Sequence, residues 1–319
     1  MKILIAYDGS AAADIAIDSL YRAGLPTEDV EALVVSVAEV WLPPPARDEE
    51  LDDTFPLSVP PGLKRAREHG AAVMAEGEER AERGKKRVKQ VFPGWSVSPE
   101  VVNGSPAFEL LNRSEEWQPQ LIVVGSHGHT AVGRFVLGSV SQKVLTEAPT
   151  SVRIGRGSIG VGDSAQRILL GIDGSPGSDI AVRAVAGRKW RPGSEVRVVV
   201  ADDLMKAFPV SLLVPRVQKF IDEANAEERS QAEELVTEAL KQLRAGLNQS
   251  VTLSSVVDSG DPKQVLVRCA EEFGADCIFT GATGFSNRLE RFVLGSVSAA
   301  VAARAHCSVE VVRSPQAVK

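Results

Sequence analysis

The chain opens on Lys2 and an unbroken apolar run, Ile3-Leu4-Ile5-Ala6-Tyr7, together of strand length and closed by the acid Asp8. Runs of this kind recur, and between them lie stretches whose apolar residues return every three or four positions. In the first half the spacing predicts strands over 2–7, 32–37, 96–102, 121–124 and 152–154. Helices are predicted over 11–22, 63–91, 106–116 and 139–147. The second half predicts strands over 167–172, 195–200, 251–257, 277–280 and 309–312, with helices over 179–186, 216–245, 262–273 and 296–304. Gly70, Gly77 and Gly84 inside the 63–91 pattern count against one unbroken helix there. In the 216–245 helix, Val217, Ile221, Ala224, Leu235, Val236, Ala239 and Leu243 form a stripe for the core, not a groove for a partner. Apolar strands alternating with amphipathic helices build a parallel sheet covered on both faces.

The pattern is written twice. Arg134-Phe135-Val136-Leu137-Gly138-Ser139-Val140-Ser141 recurs unchanged as Arg291-Phe292-Val293-Leu294-Gly295-Ser296-Val297-Ser298. Asp8-Gly9-Ser10 matches Asp173-Gly174-Ser175, and Gly104-Ser105-Pro106 matches Gly260-Asp261-Pro262. So long a period means two copies of a whole domain, expected over 1–155 and 166–319 with a Gly/Ser linker over 156–165. The first copy is the longer one, and its extra residues fall in a Pro- and acid-rich stretch, 41–62, expected to be a mobile loop.

Short Gly-rich turns follow two of the strands. In a doubly wound sheet of order 3-2-1-4-5 the ligand crevice opens where the order reverses, between the first and fourth strands. Asp8 ends the first, Gly125-Ser126-His127-Gly128 follows the fourth, and Gly138-Ser139 opens a helix whose N–H groups and positive dipole end suit phosphate. Gly125, Gly128 and Gly138 are expected to let backbone approach an anion and to adopt positive φ, and their spacing suggests no packing role. Ser10, Ser139, Ser175 and Ser296 read as helix N-caps whether or not a ligand is present. Asp8 and Asp173 have the alternative role of orienting their Gly-Ser turns.

The pattern Gly125-x2-Gly128-x9-Gly138-Ser139 resembles the ATP-binding signature of the universal stress protein family. Asp8-Gly9-Ser10, Gly104-Ser105-Pro106 and Ala148-Pro149-Thr150-Ser151-Val152 support it, and the likeness covers nearly the whole chain as a tandem pair. The resemblance implies two Rossmann-like (adenine nucleotide alpha hydrolase-like) α/β domains, each a five-stranded parallel sheet. It also implies ATP as ligand, Mg2+ on its phosphates, and a stress-response regulator more than a turnover enzyme. Asp8 would contact adenine, Val37-Ala38 would frame it, and Gly125, Gly128, Gly138, Ser139 and Val140 would hold ribose and phosphates. Ser10, Ser126, His127 and Ser141 complete the first candidate set. The second is Asp173, Ser175, Gly281, Ala282, Thr283, Gly284, Gly295, Ser296, Val297 and Ser298. There ten residues, not nine, separate Gly284 from Gly295, and Asp261 replaces Ser105. Binding is expected at both sites, with one working site beside one degenerate site left open.

Other chemistry fits less well. The net charge is −6, and each half is itself acidic, which leaves no basic footprint for nucleic acid. Gly133-x4-Gly138 lacks the Lys of a P-loop, and no GxGxxG follows a first strand. His127 and His129 read as solvent-facing loop histidines, since Thr283 and Phe285 replace them in the second copy. Cys269, Cys277 and Cys307 have no paired spacing, which points to a reducing cytoplasm, with Cys269 and Cys277 as small buried residues. No apolar run is long enough for a membrane span, and the first residues do not form a signal peptide. The short last strands would leave open sheet edges, so the two halves are expected to pair through them as a pseudo-dimer, and two chains to be able to associate further. An interaction or scaffold protein with vestigial pockets, and a slow ATP hydrolase, stand as alternative functions. The regulatory partner is not legible.

Overall fold

The computed structural model describes residues 1–40, 61–128, 137–157, 164–202, 215–283 and 294–314. The first half runs β1 (Lys2–Ala6), α1 (Ala11–Ser19), β2 (Glu31–Ala38), α2 (Pro61–Val91), β3 (Ser96–Asn103), α3 (Pro106–Trp117), β4 (Leu121–Gly125), α4 (Ser139–Glu147) and β5 (Ser151–Gly155). The second repeats it as β6 (Arg167–Ile172), α5 (Pro176–Ala186), β7 (Glu195–Asp202), α6 (Pro215–Gly246), β8 (Thr252–Ser259), α7 (Pro262–Phe273), β9 (Cys277–Gly281), α8 (Ser296–Arg304) and β10 (Ser308–Val312). All ten strands form one sheet of order β3-β2-β1-β4-β5-β10-β9-β6-β7-β8. Each half contributes five parallel strands in the order 3-2-1-4-5.

Several boundaries differ from the periodicity. The first helix stops at Ser19, and Leu20–Arg22 tightens into a 3-10 turn. Helix α2 already begins at Pro61, inside the stretch expected to be loop, and residues 41–60 lie outside the described residues. Nor do its glycines interrupt it. Gly70, Gly77 and Gly84 recur every seventh residue on its buried side. A side chain at Gly77 would stand 2.5 Å from Val101, and one at Gly84 2.8 Å from Val34 and 2.9 Å from Tyr7. The glycines are what let the helix lie close against the sheet. Of the expected linker, 158–163 lies outside the described residues.

The halves join where β5 and β10 pair antiparallel, with Ile154 opposite Val309, Arg153 opposite Glu310 and Val152 opposite Val311. On one face Val152, Ile154, Val309 and Val311 carry a single apolar cluster across the junction, under α3, α4, α7 and α8. On the other face the clusters beneath α1–α2 and α5–α6 stay separate. Between them lie Arg153 and Glu310, both fully buried. Arg153 Nη1 donates to Glu310 Oε2 at 3.2 Å and Arg153 Nη2 to the Ser19 carbonyl at 3.3 Å. Arg188 pairs with the other oxygen of Glu310. Arg313 donates to the Leu145 carbonyl, and Arg156 to the Ala305 carbonyl at 3.0 Å, so each half caps a helix end of the other. The three thiols are buried and unpaired, and burial pushes Cys277 up to about 11. Among the described residues no helix is long and apolar enough to cross a membrane.

Candidate functional site

In each half the turn after the first strand and the loop after the fourth meet at the carboxyl edge of the sheet. Gly9 and Gly174 take φ of 78°. This left-handed turn lets Asp8 Oδ1 accept the Ser10 N–H at 2.9 Å and Asp173 Oδ1 accept the Ser175 N–H at 3.0 Å. Both aspartates thus orient their turns and remain exposed. Ser10 caps α1 by accepting from Ala13, and Ser175 caps α5 by accepting from Ser178, as expected.

The glycines of the fourth-strand loop work differently from the expectation. Among the described residues none takes positive φ, and Gly138 sits at −63°. A side chain on Gly125 would stand 3.0 Å from the Ala12 carbonyl carbon, and one on Gly281 would run into the Gly177 backbone. These two therefore do have a packing reason: they let the strand end touch the first helix of its half. At Gly128 the nearest atom to an added side chain is Asp8 Oδ2, 3.1 Å away, and at Gly138 it is the His127 Cα, also 3.1 Å away. The Asp8 turn and the Gly128 loop thus converge on one mouth.

Helices α4 and α8 begin there. Their N-caps are Gly138 and Gly295, not Ser139 and Ser296, which are the first helical residues and exposed. Neither cap residue offers a side-chain acceptor, whereas α1, α5 and α7 have one from Ser10, Ser175 and Asp261. The Gly138 N–H is held by the Ser126 carbonyl at 2.8 Å and the Gly295 N–H by the Ala282 carbonyl at 2.7 Å. The amides of Ser139–Ser141 and Ser296–Ser298 stand at the open ends of their helix dipoles. The hydroxyls of Ser141 and Ser298 donate to the Gly125 and Gly281 carbonyls, at 2.7 and 2.6 Å, and brace these helices against the strand ends.

A cavity of about 380 Å³ opens in the second half. It gathers Asp173, Ser175, Gly281, Thr283, Gly295, Ser296, Val297 and Ser298 from the predicted set. Ala282 turns into the core instead, and Gly284 lies outside the described residues. Val199, Ala201, Pro262 and Leu266 add an apolar wall, and Thr280 lies beside Gly281. These five, with Gly171, Ile172, Ser178 and Leu294, were missed. The sequence signal for two of them was the strand register: Gly171 pairs with Val199 as Ala6 pairs with Val35, so Val199 and Ala201 answer to Val35 and Val37. In the first half Val37 and Val140 pack partly buried against the core, and Ala38 is fully buried. Ser126 is buried, with its hydroxyl 2.9 Å from His127 Nδ1. His127 is half-buried, a correction to its reading as solvent-facing, and His129 lies outside the described residues.

Comparison with known proteins decides the family. The universal stress protein family model matches residues 1–155 and 164–313. The chain belongs to the universal stress protein family. A universal stress protein of Mycobacterium bovis is 29% identical over 221 residues, 68% of this chain and 69% of that protein. One from Mycolicibacterium smegmatis is 36% identical over 104 residues, which span 32% of this chain and only 35% of that relative. The crystal structure of a universal stress protein from Archaeoglobus fulgidus matches over 98% of both chains, with a TM-score of 0.60 at 19% identity. This universal stress protein thus shares its tandem α/β architecture with a solved structure.

Residues that would hold a phosphate are in place: uncapped helix starts, and a close backbone approach at Gly128 that a side chain would fill. For a divalent cation, no group of three or more His, Cys, Asp or Glu side chains converges among the described residues. Mg2+ would therefore ride chiefly on the phosphates and water, its usual habit with nucleotides.

Proposed function

We propose that this universal stress protein binds ATP at both crevices, with Mg2+ on the phosphates, and that occupancy sets its conformation or partner choice. The observation that carries the reading is the pair of helices, α4 and α8, that begin at glycine caps without a side-chain acceptor in glycine-lined mouths. An anion there takes the hydrogen bonds and the dipole field that a Ser or Asp cap takes in the neighbouring helices. The apolar wall of Val199, Ala201 and Leu266 suits a base, with Asp173 at its edge. The cavity in the second half supports binding there despite its ten-residue spacing. Asp8, Ser10, Val37, Ala38, Gly125, Ser126, His127, Gly128 and Gly138–Ser141 form the proposed first site. The test is extraction of nucleotide from the purified protein, followed by mass identification. ATP recovered in proportion to protein is the expected result. Clean protein that also gives no heat on ATP titration would reverse the reading in favour of a scaffold.

A further inference from the structure

Among the described residues the two crevices differ on the side facing the long helices. In the first half α2 sets two arginines over the Asp8-Gly9-Ser10 turn. A side chain on Gly9 would run into Arg83 Nη2 and stand 3.5 Å from Arg80 Cδ. Arg83 is exposed, and Tyr7 holds it: Nε donates to Tyr7 Oη at 3.3 Å, and the guanidinium lies 5.8 Å from the ring centroid. Tyr7 is itself fixed by its bond to Asp14 at 2.7 Å. Arg80 Nε is buried without a hydrogen-bond partner. Among the described residues neither arginine makes an ion pair, although α2 is rich in glutamate. Two arginines therefore lean over the turn whose aspartate reaches Gly128.

In the second half the same place is apolar. Leu235 of α6 covers the Asp173-Gly174-Ser175 turn, its Cδ2 2.8 Å from where a Gly174 side chain would begin. Matching the buried stripes, Gly84 to Ala239 and Val88 to Leu243, puts Leu235 where α2 has Arg80 and Glu238 where it has Arg83. Asp261, N-cap of α7 and neighbour of the cavity-lining Pro262, adds another negative charge to that half. Two cations at one mouth and none at the matching place of the other act on a ligand in proportion to its charge.

We infer that Arg80 and Arg83 clamp the polyphosphate of a nucleotide in the first crevice, and that the second crevice, which has the α8 start but lacks the arginines, favours triphosphate over nucleoside by a smaller factor. This rests on the nucleotide reading above and divides it between the halves. The arginines act on phosphate oxygens by charge-assisted hydrogen bonds while α4 supplies backbone donors from the other side.

The test is calorimetric titration of the full chain with ATP and, separately, adenosine. A Gly295→Val background removes the phosphate cradle of the second crevice, so that ATP reports on the first, and adenosine is compared before and after the arginine changes, with circular dichroism as folding control. If that change unfolds the protein, the two-site isotherm of the otherwise unaltered chain gives the same reading. Arg80→Leu with Arg83→Glu imports the second half's own residues, which a helix of the same kind already carries. The expected result is a first-crevice ATP affinity at least ~10-fold weaker and less dependent on salt, with adenosine changed less than about twofold. Unchanged ATP affinity, or adenosine falling in parallel, overturns the clamp while nucleotide binding stands. A parent chain that binds neither ligand overturns the clamp and the nucleotide reading together.

Discussion

Glycines that look alike in the sequence divide by what their missing side chains would touch. Gly281 faces the Gly177 backbone, which cannot swing aside, whereas Gly128 faces only a carboxylate oxygen at 3.1 Å. Gly281→Ala should lower the unfolding free energy by about 1–3 kcal/mol, read from urea denaturation. Gly128→Ala should stay within ~0.5 kcal/mol of the parent and act instead on ligand binding. Equal stability losses at both positions would contradict the distinction. The spacing made these positions visible, but not the reasons for them, because a glycine's neighbours come from elements more than a hundred residues away. Arg80 and Arg83 were hidden for the same cause. On α2 they belong to a run of charges that periodicity assigns to solvent, and only the fold carries them over Gly9.

At the level of elements, the β-branched runs and the helical stripes placed nearly every strand and helix, with ends shifted by a residue or a few. The exceptions follow from competing local physics. Helix propensity counted Gly70, Gly77 and Gly84 against a continuous α2, yet the sheet beneath leaves no room for anything larger at Gly77 or Gly84. Gly77→Ala separates the two effects. Propensity alone would raise stability by about 1 kcal/mol, whereas the 2.5 Å approach to Val101 should turn this into a net loss of about 1–3 kcal/mol. Thermal and urea unfolding of this variant decide the sign. The helix starts in the crevices show a similar contest. Ser139 and Ser296 have the right chemistry for caps, but each preceding glycine takes the extended cap conformation and leaves the serine as the first helical residue.

Over the whole molecule, pairing of the last strands was legible because short apolar edges need covering, but its selectivity was not. Arg153 and Glu310 occupy corresponding places in the two copies and face each other across the junction. Two first halves pairing in this way would set arginine against arginine, and two second halves glutamate against glutamate. Glu310→Gln leaves Arg153 and Arg188 buried without their carboxylate and should lower stability by about 3–5 kcal/mol, seen as a marked fall in melting temperature. A loss below about 1 kcal/mol would mean that the network adds little to the joining of the halves. The sheet so formed holds two crevices, each built from the turn after one strand, the loop after another and an uncapped helix. The measurement that bears most directly on this arrangement is calorimetric titration of ATP with Mg2+ into the parent chain and into Gly138→Val/Gly295→Val, with far-ultraviolet circular dichroism held equal. Saturable heat in the parent and none in the variant is the predicted result. Absent heat in the parent, or undiminished binding in a folded variant, would contradict a site built from the backbone of these helix starts.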